Sequence, residues 1–133
     1  YIRFFFFFEQ QRCLQLVVKD GTDTNSDSGE KIIAQINNIP EEPIDLKIEV
    51  EGQCRSFYWK TKSASTEDWN FVEKVPTCTF LCDEGVPSER KRHTGTLTGL
   101  YANNGGCGSR INADFSNFKL LKQGSHQTKL TNI

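Results

Sequence analysis

Ile44-Asp45-Leu46-Lys47-Ile48-Glu49-Val50-Glu51 alternates apolar and charged residues without a fault. A period of two is the mark of a strand with one dry face and one wet face. Gly52-Gln53 then turns the chain into Cys54-Arg55-Ser56-Phe57-Tyr58-Trp59-Lys60. The stretch therefore predicts a β-hairpin closed by a two-residue turn, with Ile44, Leu46, Ile48 and Val50 facing inward. Phe57 and Trp59 share one face of the second strand, and Tyr58 points the other way.

The same period extends to both sides. Ile2 to Phe8 and Cys13 to Lys19 form a second strand pair across the polar turn Glu9-Gln10-Gln11-Arg12. Lys31 to Ile36 is strand-like and stops at Asn37-Asn38-Ile39-Pro40, while Asp20 to Gly29 is a loop by composition. Trp69 to Val75 is a short strand, and Pro76 to Arg92 is a long irregular stretch. Thr94 to Ala102 and Arg110 to Leu121 complete the set, the latter with its inward side switching between Phe115 and Phe118, as at a bulge. No segment keeps a helical period. About eight strands joined mostly by short turns imply an all-β, antiparallel two-sheet β-sandwich.

The chain of 133 residues holds one such domain, expected over residues 1–121, followed by a polar tail over 122–133. It opens abruptly in mid-strand, so the sandwich is expected to lack its first strands. The run Phe4 to Phe8 is too short for a signal peptide core, and no small-residue cleavage site follows it. No stretch reaches the length of a membrane span, which leaves a membrane out of the expected partners. Sixteen Lys and Arg balance seventeen Asp and Glu, so nothing draws the chain to a phosphate backbone and nucleic acid is excluded as a partner.

Five cysteines (Cys13, Cys54, Cys78, Cys82, Cys107) suit a secreted or extracellular setting, where they allow two disulfides and one free thiol. Zinc needs several thiolates or imidazoles converging on one point, and only Cys78 and Cys82 lie close in sequence. Asp23-Thr24-Asn25-Ser26-Asp27-Ser28-Gly29 places acids and amides at alternate positions, as calcium loops do. Ser28 and Ala34 stand where an EF-hand requires Gly and Glu, so a solvated turn is expected and calcium is the alternative. No other cofactor is expected.

Nucleophilic catalysis requires an imidazole beside a nucleophile. His93 enters a strand and His126 sits in the polar tail, neither near a nucleophile elbow. Glycoside cleavage requires two carboxyls about 5–5.5 Å apart for retention or about 6.5–9.5 Å for inversion. Adjacent Asp83 and Glu84 point apart if extended, and Asp114 is isolated, so no catalytic residue is assigned. Sugar recognition needs an exposed ring with polar neighbours; Tyr58, Trp59, Trp69 and Tyr101 could supply one, Trp59 shares the core-like face of Phe57, and Tyr58 and Trp69 are the candidates carried forward.

Three stretches carry a resemblance. They are Thr77-Cys78-Thr79-Phe80-Leu81-Cys82-Asp83-Glu84, His93-Thr94-Gly95-Thr96-Leu97-Thr98-Gly99-Leu100-Tyr101-Ala102, and Ala113-Asp114-Phe115-Ser116-Asn117-Phe118. With the hairpin Asp45 to Lys60 ahead of them, their order resembles the C-terminal concanavalin A-like (jelly-roll) sandwich of family 43 glycoside hydrolases, the β-xylosidases and α-L-arabinofuranosidases. The resemblance spans about Tyr1 to Leu120.

The resemblance implies an accessory domain in hemicellulose degradation, with a catalytic β-propeller as partner and a xylo- or arabino-oligosaccharide as ligand. The catalytic acids of that family lie on the propeller, so this chain alone is expected not to be catalytic. His93 stands where the family places the aromatic residue that closes the substrate subsite, and Asp114 and Phe115 match a loop-fixing acid and a core ring. The alternatives are a free-standing lectin-like carbohydrate-binding module and a non-functional fragment.

Overall fold

In the computed structural model the described residues are 1–8, 12–19, 29–81, 98–102 and 113–122. Six strands run in chain order: β1 (Ile2–Phe8), β2 (Arg12–Lys19), β3 (Glu30–Ile36), β4 (Ile44–Glu51), β5 (Cys54–Thr61) and β6 (Asn70–Val75). A single 3-10 turn, Thr79–Leu81, follows, and the described residues contain no α-helix. The expected all-β class is therefore the observed one, as two antiparallel three-stranded sheets, β1-β2-β3 and β4-β5-β6.

Each sheet is a meander whose middle strand supplies the core. In the first, Phe4 lies opposite Leu16 on β2, and Leu16 lies opposite Ala34 on β3. A bulge between Leu16 and Val17 leaves Ile33 without a partner and re-phases β3. In the second, Ile48 lies opposite Phe57, and Glu51 pairs with Cys54 across Gly52-Gln53. A second bulge, between Phe57 and Tyr58, shifts β6 along β5. The sheets meet where Leu16 and Phe57, 0% and 1% exposed, pack with Val75 and Cys78. The ring of Phe4 stands edge-on to that of Phe57, 5.4 Å between centroids, a preferred aromatic geometry.

Four expectations are corrected. Leu46, Ile48 and Val50 alternate as the pattern requires, yet they are 41%, 47% and 54% exposed. Strand β4 is the outer strand of its sheet, and the seam is formed one strand further in, at Phe57. Thr98 to Ala102 and Ala113 to Leu121 form no strand. Within their own unit the two segments form no described ladder with one another, and unpaired backbone gains nothing from an extended conformation. Asn117 has φ 58°, a left-handed value that interrupts extended backbone where a bulge was expected. Phe115, expected in the core, is 53% exposed.

The chain divides into two compact units, Tyr1–Thr96 and Leu97–Ile133. The first carries both sheets. The expected polar tail beyond Lys122 lies outside the described residues.

Candidate functional site

Register brings one face of the β4-β5-β6 sheet together. Lys47 lies opposite Tyr58, Asp45 opposite Lys60, and Tyr58 opposite Phe71 on β6. The connection from β5 to β6 adds Trp69. The ammonium of Lys47 sits 4.3 Å from the centre of the Tyr58 ring and 4.8 Å from that of Trp69. Lys60 Nζ lies 5.0 Å from the Trp69 ring centre, and both cations are held by the negative ring faces. Phe71 meets Tyr58 edge-on at 5.6 Å.

The charges on this face are balanced. Lys47 Nζ bonds the Glu49 carboxylate at 3.0 Å. Hydrogen bonds from Lys47 and then from the Tyr58 hydroxyl hold the Glu49 carboxyl below its ordinary range. Lys60, only 7% exposed, donates to the carbonyl oxygen of Ser65 at 3.1 Å and lies 4.0 Å from Asp45. A buried ammonium requires such partners. The face thus gathers aromatic rings with fixed donors and acceptors.

Of the residues singled out from sequence, Tyr58 and Trp69 are both half-buried and share the cation Lys47. His93 lies outside the described residues, as do the calcium-like stretch Asp23 to Ser28 and the pair Asp83-Glu84. Asp114 is exposed. Sequence reasoning missed Lys47 and Lys60. Alternation places each on the face of Tyr58, but only the pairing of β4 with β5 puts the ammonium on the ring.

Among the described residues no group of three His, Cys, Asp or Glu could hold a metal ion. Cys13, Cys54 and Cys78 are free thiols. Burial pushes the Cys78 thiol up, against a smaller opposing effect of Arg55, which keeps it protonated and unreactive. An open groove of about 280 Å³ between β3 and β6 has Val18, Ile33, Val75 and Pro76 among its walls.

Two packed antiparallel sheets with an apolar seam define this chain as a β-sandwich module. It belongs to the family of beta xylosidase C-terminal concanavalin A-like domains, whose family profile matches residues 4–120. No curated protein and no solved structure matches the chain.

Proposed function

We propose that this chain is the accessory sandwich of a family 43-type glycosidase, a β-xylosidase or α-L-arabinofuranosidase acting on hemicellulose. It packs on a catalytic β-propeller and brings His93 to the mouth of that domain's pocket, where imidazole stacks on or hydrogen-bonds to a xylo- or arabino-oligosaccharide. The observation that carries the reading is the family match over residues 4–120. An extracellular setting fits the polymeric substrate.

The test is the size of the native polypeptide, by immunoblot and intact mass, joined to an assay of this chain alone on aryl-xylosides and aryl-arabinosides. The expected result is a native species several times heavier than this chain, active on such glycosides, and an inactive isolated chain. Turnover by the isolated chain that is lost on changing one acid overturns the proposal.

A second reading, a free-standing sugar-binding module, is favoured by Tyr58, Trp69 and Phe71 lying together with Lys47 and Lys60. Saturable binding to xylan or arabinan, abolished by Trp69→Ala, would support it. Calcium enters neither reading.

A further inference from the structure

We propose that the outer edge of β4 is a self-association site, at which a second copy of this chain adds its own β4 in antiparallel register about Leu46.

Three observations lead there. Among the described residues no strand pairs with the outer side of β4. The Lys62 amide donates to the carbonyl oxygen of Pro43 at 2.8 Å. In an antiparallel ladder the groups of alternate residues point to alternate sides. The amides and carbonyls of Asp45, Lys47 and Glu49 therefore turn toward β5, and those of Ile44, Leu46, Ile48 and Val50 toward the open edge. The apolar row Leu46, Ile48 and Val50 is also exposed. An edge of this kind is a template for another strand.

Charge selects the occupant and its register. A two-fold pairing that keeps apolar opposite apolar must be centred on a residue, since a centre between residues sets the apolar row against the charged one. Centres on Asp45, Lys47, Glu49 or Glu51 place a like charge on itself. A centre on Ile48 sets Asp45 against Glu51, and a centre on Val50 sets Glu49 against Glu51.

A centre on Ile44 sets Glu42 against Leu46 and leaves one apolar pair, so the centre on Leu46 alone avoids every such clash within β4 and keeps the apolar row together. It pairs Asp45 of each copy with Lys47 of the other, Leu46 with Leu46, and Ile44 with Ile48. The Leu46 and Ile44–Ile48 pairs exchange backbone hydrogen bonds. The Asp45–Lys47 pairs fall at the closer, non-hydrogen-bonded spacing, where side chains meet most directly.

The test is the mass of the whole chain by light scattering from micromolar to millimolar concentration, with two charge variants. Wild type is expected to reach twice the chain mass. Asp45→Lys and Lys47→Glu each put like charges in apposition and are expected to weaken association at least tenfold. An equimolar mixture of the two restores opposite charges at both pairs, and the dimer with it. A wild-type chain that stays monomeric throughout overturns the proposal, as do variants that remain dimeric or a mixture that stays apart.

Lys47 also contacts Tyr58 and Trp69, and Asp45 lies 4.0 Å from the buried Lys60, so either replacement can cost folding. Leu46→Lys, at the exposed centre of the register, is then the variant expected to dissociate, and a persistent dimer overturns the assignment. Amide exchange reads the wild type directly. The Leu46 and Ile48 amides are expected to exchange more slowly as concentration rises, and a rate independent of concentration overturns the proposal.

Discussion

At the scale of single residues, Glu42 shows how a surface carboxylate can fix a connection. Its carboxylate accepts from the Ser63 backbone amide at 3.1 Å and from the Ser63 hydroxyl at 2.9 Å. These bonds tie the segment entering β4 to the turn that leaves β5. The Ser63 hydroxyl, then the Ser63 amide, hold the Glu42 carboxyl below its ordinary value, with a smaller pull from Arg12. A carboxylate whose pKa is lowered by folding stabilises the fold above the unfolded value, and that contribution disappears as pH falls through the folded one. Wild type is therefore expected to melt higher than Glu42→Gln at neutral pH. The gap should close as the pH drops from about 4.3 through the lowered value. Thermal melts across that window check it, and a gap that persists in acid would mean the carboxylate charge plays no part.

At the scale of elements, the hairpin shows how far the sequence could be read. Glu51 and Cys54 are the last pair of β4 and β5, and Gly52 between them has φ 56°. A positive φ at the first central residue is the arrangement of a type II′ turn, which suits the twist of the strands it joins. Open space surrounds the position where a Cβ would stand on Gly52, so the cost of a side chain there is conformational. Gly52→Ala is expected to destabilise the chain by about 1–2 kcal/mol, and Gly52→Asn by less, because Asn tolerates the left-handed region. Denaturant titration separates the two, and equal losses would point to a packing role for the glycine. All six strands were legible, β4 by its strict period of two and the others as short apolar or partly alternating runs between polar turns. The bulges at Leu16/Val17 and Phe57/Tyr58 were not, since the extra residues, Ile33 and Val72, lie in the apolar runs Ile32-Ile33-Ala34 and Phe71-Val72, where a switch of side leaves no mark in the polarity pattern. The Lys47 and Lys60 contacts were hidden for a related reason. They depend on which strand lies beside which, and composition does not carry that.

At the scale of the molecule, the question is what joins the two sheets. The strongest amphipathic pattern in the sequence, that of β4, marks an outer strand with an exposed apolar row, while the seam is built from Leu16 of β2 and Phe57 of β5. Alternation reports which face is apolar, and Ile48 does share its face with Phe57; it does not report how far across that face the other sheet reaches. Leu16 and Phe57 come from the middle strands, and each is wholly buried. Phe57→Ala is expected to cost about 3–5 kcal/mol and Leu16→Ala about 2–5 kcal/mol. Leu46→Ala, at a side chain 41% exposed, should cost far less. If the sheets fold as one cooperative body, the Leu16→Ala and Phe57→Ala losses will not add. Residues that share a cavity couple by about 0.5–3 kcal/mol in a double-mutant cycle, whereas distant sites add to within about 0.5 kcal/mol. The cycle needs four denaturant titrations, read by tryptophan fluorescence for the β5 side and by far-ultraviolet dichroism for the whole. Coupling with coincident transitions is the expected outcome and marks a single folding unit. Additive losses with separated transitions would mean that each meander melts alone, and the seam would then be a contact between two independent sheets.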